Sequence, residues 1–168
     1  MEKRIVQVYF GTGKGKTTAA IGQCIRAISM DEQVIVIQFL KGKDREDLRC
    51  LDQFEENIKV VRFEKFVGNF RDLSPREQEE EKINLQNGFN YAKKVVEIGE
   101  CDLLILDEIL GLIDLGIVKT EDVIHLLETG RESCNMVLTG QNLPEDLLTY
   151  VDIASRLESV KDSEKGKL

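Results

Sequence analysis

The chain has 168 residues, 42% of them hydrophobic and 32% charged, with a formal net charge of −8. That length and balance fit one soluble globular domain, and the acidic surplus argues against nucleic acid as a general partner. No apolar run approaches the roughly 20 residues needed to cross a membrane, and no signal peptide is visible.

The first predicted strand is the apolar run Ile5 to Phe10, broken by Gln7. It leads into Gly-Thr-Gly-Lys-Gly-Lys-Thr-Thr, Gly11 to Thr18, and a helix is expected from Lys16 to about Met30. Strand, glycine loop and helix together are the layout of a phosphate-binding P-loop. Val34 to Leu40 reads as a strand buried on both faces, with Gln38 and Lys41 at its polar end. Lys43 to Phe54 is charged and expected to be partly helical. Lys59 to Phe63 is a short third strand. Glu64 to Leu73 has little periodicity and carries two aromatics, Phe66 and Phe70.

Ser74, Pro75 and Glu77 open a long helix with a capping box. Its first turns, to Lys82, are mostly charged and expected to be solvated. Leu85, Phe89, Ala92 and Val96 then fall at helical spacing to dock on the sheet, and Gly99 ends the helix. Asp102 to Glu108 is an apolar strand ending in two carboxylates, and Ile109 to Leu115 packs near that end. Thr120 to Leu127 is a helix. Asn135 to Thr139 is a fifth strand, Pro144 opens a short helix to about Tyr150, and Asp152 to Leu157 is a last strand. The tail from about Val160 to Leu168 is charged and expected to be loose. Strands alternating with helices predict an α/β fold, a doubly wound, mostly parallel sheet in a single domain over 1–168.

Gly11, Gly13 and Gly15 let the backbone curl so that N–H groups point inward at a polyphosphate, and Thr12, Lys14 and Thr18 complete the nucleotide-binding loop. The helix adds the positive end of its dipole. Lys16 can reach the phosphates and the Thr17 hydroxyl can ligate Mg²⁺. A buried parallel strand delivers acids at its carboxyl end, so Asp107 or Glu108 would hold Mg²⁺, directly or through water. Lys14, Lys16 and Lys41 are the members of any local basic patch. The four cysteines, Cys24, Cys50, Cys101 and Cys134, lack a paired spacing and read as free buried thiols in a reducing cytoplasm. The single histidine, His125, lies in a helical run and reads as structural.

The position where a P-loop's first glycine normally stands is Phe10. The variant loop Gly11 to Thr18 resembles that of the ATP:corrinoid adenosyltransferases of the cobalamin pathway. Gln38 to Gly42 is similar to their Gln-Phe-hydrophobic-Lys-Gly strand end, Leu106 to Glu108 to their Leu-Asp-Glu, and Leu138 to Gly140 to their hydrophobic-Thr-Gly. A weaker likeness runs from Val151-Asp152 through Val160-Lys161. The resemblance implies a P-loop fold of the RecA-like kind and a homodimer. It also implies transfer of the 5′-deoxyadenosyl group of ATP to the Co(I) of a corrinoid, with triphosphate released and a reductase supplying the electron. Lys14, Lys16, the loop amides and a Mg²⁺ held by Thr17 and Glu108 would stabilise the leaving group. Phe66 and Phe70 are the nearest candidates for the corrinoid loop, where members often carry a Trp that this chain lacks. Gln141 stands where an arginine often follows Thr-Gly, and Lys161-Asp162-Ser163-Glu164 replaces a Lys-His-Pro-Phe-like segment. The residues alone also admit a P-loop small-molecule kinase, with Arg45, Arg49 or Arg131 as lid arginine, and a non-catalytic ATP-sensing protein.

Overall fold

The computed structural model describes residues 3–41 and 48–164. A six-stranded sheet runs through it: β1 (Val6–Phe10), β2 (Val34–Gln38), β3 (Ile58–Arg62), β4 (Leu103–Asp107), β5 (Asn135–Gly140) and β6 (Ile153–Arg156), in spatial order β3-β2-β4-β5-β1-β6. The sequence predicts a mostly parallel sheet, and every strand pairing is parallel. Crossovers return the chain to the same edge each time. They run through α1 (Lys16–Ile28), α2 (Pro75–Ile98), α3 (Ile109–Asp114) with α4 (Thr120–Gly130), and α5 (Glu145–Leu148), while β2 and β3 are joined through a 3₁₀ turn at Arg49–Phe54. This is the doubly wound α/β fold of the P-loop kind that the sequence predicts.

Period-two alternation splits each strand between two cores. Val34, Val36, Leu103, Ile105 and Val137 pack with Ala20, Cys24 and Ala27 of α1. Ile35, Ile37, Leu104, Leu106, Met136 and Leu138 pack on the other face with Leu85, Phe89, Ala92 and Val96 of α2 and with α3 and α4. By the same parity, Gln38, Asp107 and Thr139 belong to the α1 face at the carboxyl edge of the sheet. All three are at most 1% exposed.

Ser74 caps α2 as expected: its hydroxyl accepts from the Glu77 N–H, and the Glu77 carboxylate accepts from the Ser74 N–H at 2.8 Å. The next turns depart from expectation. Glu81 is 2% exposed rather than solvated. Its carboxylate accepts from the Lys65 N–H (3.1 Å), the Phe66 N–H (2.9 Å) and the Asn84 side-chain amide (2.9 Å). It thereby ties the irregular 64–73 segment to α2. A charge-based reading treats such a residue as surface, whereas three donors satisfy it inside. Of the cysteines, Cys24, Cys101 and Cys134 are buried as expected, but Cys50 is exposed. Burial pushes the Cys24 thiol up to about 12, which keeps it protonated and inert. His125 is exposed on α4. Gly42, Arg45 and the start of the charged segment Lys43 to Phe54 lie outside the described residues, as does the end of the tail.

Asp152 fastens β6 into the sheet. Its carboxylate accepts from the Val6 N–H (2.9 Å), Lys3 Nζ (2.8 Å) and Arg131 Nη1 (2.8 Å). Burial raises its pKa, but these donors, led by Lys3, outweigh it and hold the group down at about 2. A depressed folded-state pKa means the contribution is present above the unfolded value of about 4 and is lost as pH falls through about 2. Asp152→Asn is therefore expected to lower the melting temperature at pH 7, by about 1 kcal/mol of stability after solvent screening, and to leave it unchanged near pH 2. Thermal melts at the two pH values check this.

Candidate active site

The site is built where four strand ends meet the start of α1. β1 stops at Phe10, and the loop turns over the sheet edge into α1, which begins at Lys16. Gly15, at φ 107°, is the residue before the helix and offers no side-chain cap. The first amides of α1, at Lys16, Thr17 and Thr18, therefore lack intrahelical partners and face the loop's mouth, the arrangement that receives phosphate. Ala19 N–H makes the first helical bond, to Gly15 O at 2.9 Å.

Residues 157–159 lie along the back of the loop. Gly13 N–H donates to Leu157 O (2.9 Å), Lys14 N–H to Ser159 Oγ (3.2 Å), and Gly11 N–H to Gln141 O (2.9 Å). The backbone approaches so closely that a Cβ at Gly13 would stand 2.7 Å from the Glu158 nitrogen, so only glycine fits there. Thr12 and Thr18 are exposed on the loop and the first turn of α1.

The two loop lysines do different things. Lys16 Nζ folds back onto Gly13 O at 2.8 Å, a loop carbonyl that a phosphate oxygen would outcompete as partner. Lys14 Nζ pairs with Glu164 (2.6 Å) and Asp162 (3.3 Å). Those carboxylates, Glu164 first, hold the Lys14 ammonium above its ordinary value. Through Asp162 and Glu164 the described part of the charged tail reaches the loop. Lys41 Nζ stands 3.8 Å from Glu108. The three lysines of the predicted basic patch are thus each directed at an internal partner.

The two acids at the end of β4 separate. Asp107 completes the strand on the α1 face and meets Thr17: Thr17 Oγ1 is 3.0 and 3.2 Å from its two carboxylate oxygens. Gln38 Nε2 donates to the same carboxylate at 2.9 Å and Thr139 Oγ1 at 2.6 Å. The register puts Gln38 directly across from Asp107. Glu108 has left the strand. It sits at φ 64°, a left-handed conformation uncommon for a residue with a side chain, and its N–H donates to Thr139 Oγ1 at 2.8 Å. Its side chain turns to the other side, into a cleft of about 400 Å³ lined also by Leu40, Phe70, Arg71, Gly111 and Gln141. Phe70 therefore shares a cleft with Glu108. Phe66 is half-buried, held by its backbone on Glu81, and does not line that cleft.

Because the Thr17 hydroxyl can give its proton to Asp107, its lone pairs are left for a cation. Thr17 and Asp107 are hard oxygen donors beside the glycine-rich loop Gly11 to Thr18. Among the described residues no group of three or more His, Cys, Asp or Glu could hold a metal ion. The donor pair Thr17 and Asp107 is of the kind that suits Mg²⁺, which takes one or two protein oxygens and completes its shell with phosphate and water. Gln38 and Thr139 stand in the motifs at Gln38 to Gly42 and Leu138 to Gly140 without a role that the sequence assigns, and Arg62 and Glu81 carry no signal when read singly. The signal for the first three lies in strand parity, which puts polar residues on one face at the carboxyl ends of the strands: Gln38 and Arg62 are the last residues of β2 and β3, and Thr139 is the last but one of β5.

No helix of the described residues is long and apolar enough to cross a membrane. The family model described as ATP:corrinoid adenosyltransferase BtuR/CobO/CobP matches residues 2–167. A corrinoid adenosyltransferase of Escherichia coli (strain K12) is 28% identical over 160 residues, covering 95% of this chain and 79% of the relative. The corrinoid adenosyltransferase CobA of Salmonella typhimurium (strain LT2) is 28% identical with the same coverage. An uncharacterized protein of Nostoc is 29% identical over 167 residues, covering 91% of this chain and 43% of the relative. With the match extending from one end of the sheet to the other, the chain belongs to the ATP:corrinoid adenosyltransferase family, a family of transferases.

Proposed function

We propose that the protein transfers the 5′-deoxyadenosyl group of ATP to the Co(I) centre of a corrinoid and releases triphosphate. The observation that carries this reading is the P-loop, with open α1 amides and Lys16 poised over it, next to a cleft that holds Glu108 and Phe70. The cobalt's electron pair attacks C5′ as the new Co–C bond forms. The C5′–O bond breaks, and its pair leaves on the triphosphate. Cobalt goes formally from Co(I) to Co(III), and no proton has to move.

The protein's share is orientation and charge. The amides of Lys16, Thr17 and Thr18 hold phosphate oxygens, and Lys16 swings from Gly13 O to the developing charge of the leaving group. Lys14 adds a second cation once it exchanges Glu164 and Asp162 for phosphate. Gly11, Thr12, Gly13 and Gly15 shape the cradle. Thr17 and Asp107 would hold Mg²⁺, with Glu108 approaching from the cleft side. When bound, Mg²⁺ supplies positive charge that offsets that of the triphosphate. Gly111 and Leu40 keep the cleft side of Glu108 tight, and a Cβ on Gly111 would stand 2.5 Å from Leu40 Cδ1. Leu40 and Phe70 are the apolar part of a lining that also holds Arg71, Glu108 and Gln141, and they limit water on their side of a Co(I) nucleophile. A homodimer and a reductase that delivers the electron complete the proposal.

Mixing the protein with ATP, Mg²⁺ and a chemically reduced corrinoid should convert the Co(I) visible spectrum to that of an alkylated cobalt, dependent on all four components. Phe70→Ala is expected to raise the KM for corrinoid about tenfold, the size of a lost aromatic contact of roughly 1.4 kcal/mol, and to leave the KM for ATP alone. Phe66→Ala, away from the cleft, should change the corrinoid KM less. Equal kinetics for Phe70→Ala and wild type would remove Phe70 from the corrinoid site.

A further inference from the structure

A chain of side chains runs from the outer edge of the sheet to the P-loop threonine. Arg62, last in β3, donates through Nε to Gln38 Oε1 at 2.8 Å. Gln38, last in β2, donates through Nε2 to Asp107 at 2.9 Å. Asp107, last in β4, accepts from Thr17 Oγ1 at 3.0 Å. The registers make the three strand residues direct neighbours, Gln38 opposite Arg62 and Gln38 opposite Asp107. All three lie on the α1 face, as parity requires.

We propose that Arg62 and Gln38 are positioning residues that fix the Asp107 carboxylate, and through it the Thr17 hydroxyl, for the metal bound with ATP. This rests on the role given above to Thr17 and Asp107. The chemistry of the chain leaves little freedom. A guanidinium only donates, and an ionised carboxylate only accepts. A primary amide is the uncharged side chain of this size that accepts at one end and donates at the other. Arg62 thereby selects which way the buried amide of Gln38 points: oxygen outward, nitrogen toward Asp107. A flipped amide would aim its oxygen at a carboxylate and leave the nitrogen facing a cation. With Gln38 and Thr139 both donating to Asp107, the carboxylate is held from two sides, and the Thr17 proton is directed to it. The Thr17 lone pairs then face the phosphates. Partners that orient metal-site groups in this way commonly set metal affinity by 10- to 100-fold.

The test is Mn²⁺ binding to the full-length protein with ATP and no corrinoid, read by electron paramagnetic resonance, with ATP binding in EDTA and thermal melts measured alongside. Thr17→Ala and Asp107→Asn serve as controls. Arg62→Ala and Gln38→Glu are each expected to raise the Mn²⁺ dissociation constant about tenfold while ATP binding without metal stays at the wild-type value. Arg62→Lys, which can still donate to Gln38, should recover most of the loss. Gln38→Met combined with Arg62→Ala should be no worse than Gln38→Met alone, because the two act in series. Arg62 is on an edge strand, so Arg62→Ala keeps the test informative if a Gln38 variant fails to fold. Wild-type Mn²⁺ affinity in Arg62→Ala, or additive losses in the double variant, would overturn the relay while leaving Thr17 and Asp107 as metal groups. Unchanged affinity in the controls would overturn the metal reading, and the relay with it.

Discussion

Lys16→Ala should lose about 100- to 1,000-fold in kcat while keeping its fold. Among the described residues the hydrogen-bond partner of the Lys16 ammonium is the loop's own Gly13 carbonyl, at 2.8 Å. It contributes to no core cluster and caps no strand. Its removal therefore costs little stability, within about 0.5 kcal/mol as for an ordinary surface change. Catalytically its place is different. A triphosphate leaving group gathers charge as the C5′–O bond breaks, and a cation that follows that charge stabilises the transition state more than the ground state. The effect should fall on kcat and kcat/KM together. Lys14→Ala should cost less in turnover, because Lys14 must first give up Glu164 and Asp162. Steady-state kinetics with circular-dichroism melts would check both. A Lys16→Ala protein that is folded and fully active would remove the loop lysine from the mechanism.

The second large effect belongs to Asp107. Three donors converge on its buried carboxylate: Thr17, Gln38 and Thr139. Asp107→Asn keeps the shape but turns an NH₂ toward at least one of them. A buried donor facing a donor costs about 2 kcal/mol, which for a chain of this size lowers the melting temperature by roughly 4–8 °C. The Mg²⁺ concentration for half-maximal activity should rise about 10- to 100-fold. Glu108→Gln should also raise the Mg²⁺ requirement, but without the loss of melting temperature, since Glu108 faces a cleft and Lys41 rather than a buried network. ATP affinity without metal should change little in either variant. Magnesium titrations and melts run side by side separate the two carboxylates. Titrations that overlay with wild type for both would exclude the acidic pair as metal ligands.

Much of the frame was legible in the residues. The run Val34 to Leu40, rich in β-branched residues, reads as a strand covered on both faces; the strand is buried throughout but ends at Gln38, and Leu40 has turned to φ 57° beyond it. Ser74, Pro75 and Glu77 specify a helix start that the hydrogen bonds reproduce. The loop Gly11 to Thr18 follows a strand and opens a helix, the layout from which a phosphate cradle is proposed. The sequence also names Asp107 and Glu108 together. It cannot separate them, because one backbone torsion at Glu108 decides which carboxylate faces α1 and which faces the cleft.

Other features depend on distant pairings. Glu81 looks solvated beside Glu79, Glu80 and Lys82; only the approach of the 64–66 backbone makes it a buried acceptor. Just after β6, Leu157 and Ser159 bond the loop, and in the tail that follows, which looks loose by composition, Asp162 and Glu164 pair with Lys14; these contacts are set by where β6 ends. Gln38 and Arg62 are legible as neighbours only once the parallel register of β2, β3 and β4 is known.

The bond that breaks in ATP tests the central claim most directly. The loop's amides and lysines stabilise negative charge wherever the polyphosphate lies, so they do not choose that bond. The nucleophile and the direction of the nucleotide choose it. A kinase needs an activated hydroxyl and a hydrolase a positioned water, whereas Co(I) at C5′ needs neither. Phosphorus NMR of the protein with ATP, Mg²⁺ and a Co(I) corrinoid should show intact inorganic triphosphate appearing in step with the alkylated cobalt. ADP or orthophosphate as the main product, with the cobalt spectrum unchanged, would contradict adenosyl transfer and point to a kinase or hydrolase instead.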